Sequence, residues 1–237
     1  VGGSASYELD LPNGGTGIVV GNVIEQSATT QNPALLAFGE EGVPAGYDAH
    51  LFVVNNTFLN TKGSGTFINN PTTTATVITN NIFWNGGTVS SQPAAIQTSN
   101  FVSATSGDPG FVNVASFDVH LQQSSPCVDK GTAPGSGGGQ SLAPVFEYVH
   151  PTSQGTRGIA GPAIDIGAYE FGNPGGGGTG TDGGTDPGGG AGGDAATGCS
   201  CQIGAHAPAQ DGSLGSLWGV LFGLLSVAQI RRKIAQR

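Results

Sequence analysis

One six-residue pattern occurs three times and constrains the fold more than anything else in the chain. It reads Val19-Val20-Gly21-Asn22-Val23-Ile24, then Val53-Val54-Asn55-Asn56-Thr57-Phe58, then Ile78-Thr79-Asn80-Asn81-Ile82-Phe83. Each copy sets β-branched or aromatic residues on both sides of an Asn-containing step. Shorter apolar runs, Leu35-Leu36-Ala37-Phe38 and Thr66-Phe67-Ile68, fall between the copies. Strand, turn and strand at a recurring spacing is the signature of a solenoid, whose units bury their apolar faces only against neighbouring units. Asn and Gly clusters such as Asn69-Asn70-Pro71 and Asn85-Gly86-Gly87 supply the corners. In such a coil Asn56 and Asn81 are expected to stack as two steps of an amide ladder. The alternative is an antiparallel β-sandwich in which the same Asn residues only supply turn conformations.

Charge is distributed very unevenly. Three of the seven basic residues and all 16 acidic ones precede Arg231, so the body carries −13 and the final seven residues carry +4. A phosphate-binding face needs clustered Lys and Arg on the folded part, which excludes a nucleic-acid partner. An acidic, Lys-poor body suits a secreted protein kept soluble by its own charge. The chain opens on Val1 without a start Met, which is read as the C-terminal part of a longer protein. Three cysteines make no disulfide framework.

The Asn-Asn-apolar units resemble the right-handed parallel β-helix superfamily, which includes pectate lyases and many bacterial surface proteins. After them come Gly107-Asp108-Pro109-Gly110-Phe111-Val112, Phe117-Asp118-Val119-His120-Leu121, Ser124-Ser125-Pro126-Cys127-Val128-Asp129-Lys130-Gly131 and Asp165-Ile166-Gly167-Ala168-Tyr169-Glu170-Phe171. That order resembles the choice-of-anchor Q module that closes β-helix proteins ahead of an anchoring signal. Cys127 stands where such sequences often have a small apolar residue, and is read as a buried free thiol.

Residues 172–198 hold 14 Gly and no large apolar side chain, so no core forms there and a disordered linker is expected. From Leu214 to Ile230 the chain carries no charge. Its 17 residues would make a helix of about 25 Å, the lower limit for spanning a membrane. The following Arg231, Arg232 and Lys233 predict a cytoplasmic C-terminus by the positive-inside rule. Together with Cys199-Ser200-Cys201, the tail 198–237 resembles the myxobacterial sorting signals called MYXO-CTERM. The resemblance implies export to the cell envelope, processing by a membrane-embedded sorting protease, surface anchoring, and lipid modification at a Cys such as Cys199, with Cys201 beside it.

The expected organisation is therefore all-β: parallel β-helix rungs over 1–104, a closing module over 105–171, a Gly-rich linker with the Cys motif over 172–213, and a single transmembrane sorting helix with its basic tail over 214–237. Catalytic chemistry is thin. Polysaccharide lyases of the resembled fold need a Lys or Arg base, yet residues 15–100 hold only Lys62 and no Arg precedes Arg157. Glu40, Glu41, Asp48 and His50 form the densest polar group, in a Gly/Pro-rich loop, and Asp165, Glu170 and Arg157 form a second set that either makes a site or pairs internally. The run Gly177 to Asp182 matches part of a Ca²⁺-binding nonapeptide only once and without its large apolar residue. No catalytic residue, metal ligand or cofactor is assigned. The expected function is display or adhesion with contact to extracellular polysaccharide; the alternative is the end of a polysaccharide lyase or glycoside hydrolase whose catalytic rungs lie upstream.

Overall fold

The computed structural model describes residues 5–150 and 152–173. Residues 9–102 form twelve short strands: β1 (Leu9–Leu11), β2 (Gly15–Val20), β3 (Val23–Gln26), β4 (Ala34–Phe38), β5 (Ala49–Val54), β6 (Thr57–Asn60), β7 (Thr66–Asn69), β8 (Val77–Thr79), β9 (Ile82–Trp84), β10 (Thr88–Ser90), β11 (Ile96–Thr98) and β12 (Phe101–Val102). Every third strand joins the same sheet, giving three four-stranded sheets with orders β1-β4-β7-β10, β2-β5-β8-β11 and β3-β6-β9-β12. All these pairings are parallel. The chain thus winds through four rungs of a parallel β-helix, and the antiparallel sandwich is ruled out.

Register explains why these residues suit the coil. Val19, Val53 and Ile78 stack in one column of the second sheet, as Phe58 and Phe83 do in the third. Phe58 and Phe83 lie 5.1 Å apart in near-parallel stacking, and Phe67 from the first sheet meets Phe83 at 5.0 Å. Such offset pairs add to the apolar burial that drives a coil without local contacts. The turns absorb the irregular period: β4 and β5 are joined by residues 39–48, β7 and β8 by residues 70–76.

The third sheet is apolar on both sides. Ile24, Phe58 and Phe83 belong to the interior cluster. Leu59, Ile82 and Phe101, with Val23 and Trp84, belong to a second cluster shared with Phe111, Val119, Leu121, Cys127, Ile166, Ala168 and Tyr169. Residues 105–171 therefore cover the outer face of this sheet. They begin with β13 (Phe111–Asn113) paired antiparallel to β14 (Asp118–Leu121), and continue through the hairpins β15 (Ser136–Gly137) with β16 (Gln140–Ser141) and β17 (Phe146–Val149) with β18 (Ser153–Thr156). Gly137 is required where the first hairpin crosses the second sheet, since a Cβ there would lie 2.4 Å from the Phe52 ring. Cys127 is fully buried and unpaired with another Cys, and burial pushes its thiol up to about 12.

This segment runs along the side of the coil and touches each rung. It meets Gly21, Asn55, Asn80 and Ser99 in turn, through Phe146, Asp165, Gly167 and Thr132. After β12 the chain forms a one-turn helix, Ser103–Ser106, whose Ser103 hydroxyl accepts the Asn85 backbone N–H at 2.7 Å.

Candidate functional site

Asn56 and Asn81 occupy one corner of successive rungs, between the second and third sheets. The backbone N–H and Nδ2 of Asn56 both donate to Oδ1 of Asn81, at 2.9 and 3.0 Å. Asn22 donates the same pair to Asn56, at 2.9 and 3.1 Å, and Asn81 to Asn100, at 2.8 and 3.0 Å. Each Nδ2 also reaches strand carbonyls, as Asn81 does to Val53 and Thr79. The preceding residue takes the left-handed conformation in all four rungs: Gly21, Asn55, Asn80 and Ser99. Asn tolerates that region better than most side chains, which accounts for the doubled Asn. The outward-facing Asn55 and Asn80 then grip the flanking segment. Asn55 Nδ2 donates to the Asp165 carbonyl at 2.8 Å, and Asn80 exchanges two bonds with the Thr132 backbone at 2.7 and 2.9 Å.

Arg157, Glu147, Asp165 and Glu170 are all buried. The Arg157 guanidinium donates to Glu170 at 3.1 Å and to the carbonyls of Gly167 and Asp165. Asp165 accepts the backbone N–H of Asp129 and of Phe171, at 2.7 and 2.6 Å. Burial lowers the Arg157 pKa and raises that of Asp165. These groups pair with one another and with the backbone and staple the last described turn, with Arg157 Nε the one nitrogen of its guanidinium left without a partner among the described residues.

A surface cleft of about 450 Å³ lies between the two long turns, lined by Gly39, Glu40, Gly42, Val43, Ala49, Pro71, Thr72 and Thr73. Glu40 accepts a hydrogen bond from Asn69 Nδ2. Behind the wall, Gln92 holds the turn 70–76, donating to the Thr72 and Thr74 carbonyls and accepting from Thr76. Tyr47, in the same loop as Glu40, is 70% exposed. Of the polar group read from the sequence, Glu40, Glu41 and Asp48 lie in this loop. His50 instead lies on β5, exposed, with its ring stacked 6.5 Å from Phe52. Among the described residues no three His, Cys, Asp or Glu side chains are grouped to hold a metal ion. Glu40, Thr72 and Thr73 supply the polar side chains of the lining, the Thr72 hydroxyl among them buried without a partner, and no basic side chain lines the cleft.

Cys199, Cys201, Arg231, Arg232 and Lys233 lie outside the described residues, as do the Gly-rich stretch and the 214–230 run. Among the described residues no helix is long and apolar enough to cross a membrane. Comparison with protein-family models, with curated proteins and with solved structures returned no match.

Proposed function

We propose that the chain is an exported, right-handed parallel β-helix module, held at the cell envelope by residues 198–237 and displayed to extracellular polysaccharide. The observation that carries this reading is an order of parts: stacked rungs, a flank resembling choice-of-anchor Q, a Gly-rich stretch, and a tail resembling MYXO-CTERM. Right-handedness follows from the strong preference of crossovers between parallel strands for that hand. The acidic body supports life outside the cytoplasm. In the tail, Cys199 and Cys201 take the processed and lipid-modified position, the 214–230 run enters the membrane, and Arg231, Arg232 and Lys233 hold its end inside until a sorting protease acts.

Glycan contact is assigned in this reading to the cleft lined by Glu40 and Thr73, with Tyr47 exposed on the same loop as Glu40. The cleft's carboxylate without a basic partner favours a neutral sugar over a polyuronate, because a second anion there is repelled. Glycan binding is tested by affinity electrophoresis in neutral and acidic polysaccharides, with Tyr47→Ala and Glu40→Gln beside the wild type. Retardation by a neutral polysaccharide that both variants lose supports the placement. Retardation unchanged in both variants, or absent from every polysaccharide, removes it.

A further inference from the structure

Six residues other than Gly take a positive φ among the described residues: Asn55, Asn80, Asn85, Ser99, Phe117 and Asp129. All but Phe117 are small and polar, side chains that fit the left-handed region at little cost. For a bulky Phe a φ of 59° is strained. Burial does not offset the strain, because Phe117 is 46% exposed and joins neither apolar cluster. The backbone is nevertheless fixed there. Residues Val114–Ser116 form one 3₁₀ turn, started by Asn113 Oδ1, which accepts the Ser116 N–H at 3.2 Å. Its end is closed by the Phe117 N–H, which donates to the Val114 carbonyl at 3.0 Å. Val114 packs against the second apolar cluster and ties the turn to the coil. A ring held at a strained position without packing on the fold is explained by a use outside it.

The strand that follows supplies polar partners. Val119 and Leu121 of β14 are buried, so Asp118 and His120 lie on its opposite, outer face. Asp118 Oδ1 accepts from His120 Nδ1 at 2.7 Å and from the His120 backbone N–H at 3.2 Å. The imidazole is backed by the buried Tyr169, with ring centroids 4.0 Å apart. Carboxylate and ring together hold the imidazole in one orientation with Nδ1 as the donor, and Nε2 of the neutral form is then an acceptor. Asp118 Oδ2 and His120 Nε2 have no partner among the described residues, and the two side chains are 40% and 37% exposed. Two fixed acceptors thus follow directly on an exposed ring. Val112, 46% exposed, stands on the paired strand β13. No Lys or Arg occurs between Phe111 and Leu121.

We propose that this tip of the flanking segment is a second polysaccharide contact, with one pyranose ring laid on Phe117 and its hydroxyls donating to Asp118 Oδ2 and His120 Nε2. The proposal rests on the polysaccharide reading but not on the cleft. A pyranose carries an apolar C–H face and hydroxyl donors at its rim, which matches a ring followed by two acceptors. Without a cation beside Asp118, a neutral chain is favoured over a polyuronate. A protein partner fits less well, because a stable interface buries roughly 800 Å² on each side and the exposed apolar surface here is that of Val112 and Phe117.

The test is affinity electrophoresis of the full chain in mild detergent, in gels holding a soluble β-glucan or galactomannan, with alginate as the polyuronate control. Phe117→Asn removes the ring and keeps a side chain suited to positive φ. His120→Phe removes Nε2 and leaves a ring against Tyr169. Both variants are expected to bind a neutral polysaccharide at least about fivefold more weakly than wild type, and Phe117→Asn to melt no lower than wild type. Binding unchanged in both variants but lost in Tyr47→Ala overturns the proposal and leaves the cleft as the contact. Retardation by none of the polysaccharides overturns it together with the polysaccharide reading. A Phe117→Asn chain that melts several degrees lower yet binds as wild type also overturns it, since the ring would then serve the fold alone.

Discussion

Replacing Asn81 by Ala should be among the most damaging single changes in the coil, and its size can be worked from the hydrogen bonds. The side chain is fully buried. Its Oδ1 accepts from the Asn56 backbone and side chain, and its Nδ2 donates to Val53, Thr79 and Asn100. Truncation leaves the buried Asn56 backbone N–H without its acceptor and takes one bond each from Asn56 Nδ2, from the Val53 and Thr79 carbonyls and from Asn100 Oδ1. A buried group left unsatisfied costs about 1–3 kcal/mol. Even with partial relaxation the loss should reach about 3–5 kcal/mol, the range reserved for broken buried networks. Asn22 supplies the internal control, because it occupies the same corner on an exposed rung and its Oδ1 accepts nothing among the described residues. Asn22→Ala should cost about 1 kcal/mol or less. In urea, with a slope of about 2 kcal/mol/M, Asn81→Ala lowers the midpoint by about 2 M and Asn22→Ala by no more than about 0.5 M. Equal shifts for the two variants would refute the reasoning, since the amide column would then contribute nothing beyond a turn preference.

Gly65 has φ of 101°, and a Cβ there would fall 2.0 Å from the Pro33 carbonyl oxygen; Gly65→Ala should lower stability by more than about 2 kcal/mol, read by chemical unfolding. Arg157→Met leaves Glu170 buried without its guanidinium and should cost about 3–5 kcal/mol, whereas the exposed Lys130→Met should move the melting temperature little. Asp165 has a raised pKa in the folded state, so its contribution is fully present below the unfolded value and is lost as pH rises through the folded one. Asp165→Asn should accordingly flatten stability between those two values, measured by unfolding across the acid range. Cys127, buried and pushed up to about 12, should resist alkylation at neutral pH until the chain unfolds, as peptide mapping after brief iodoacetamide treatment will read; modification at the rate of a free thiol would place it at the surface.

Much of the coil was legible because its corners carry their own chemistry. Asn55 and Asn80 sit at positive φ and Asn56 and Asn81 bond between rungs, so two demands fall on adjacent positions and leave a doubled Asn. The fourth corner is Ser99-Asn100, only 19 residues after Asn81, and its strand Ile96-Gln97-Thr98 is exposed. It lacks both the doubled Asn and the apolar flanks, so no repeat announces it. Side-on docking of residues 105–171 did leave a trace. Leu59, Ile82 and Trp84 break the alternation expected of a sheet with one wet face, and unbroken apolar strands mark burial on both sides. Of the cleft only the polar loop around Glu40 showed; its meeting with Thr72, on a separate turn, depends on how the rungs stack.

Anchoring at the envelope is the claim on which the functional account turns, and the intact mass of the mature protein tests it most directly. The protein would be recovered from its host's surface fraction as wild type and as the Cys199→Ala, Cys201→Ala double variant. The account predicts that surface wild-type protein lacks Arg231–Arg237 and carries added lipid mass near Cys199, and that the variant is retained and unprocessed. Wild-type protein found in the inner membrane with Arg231–Arg237 intact would contradict it and leave the tail a plain membrane anchor.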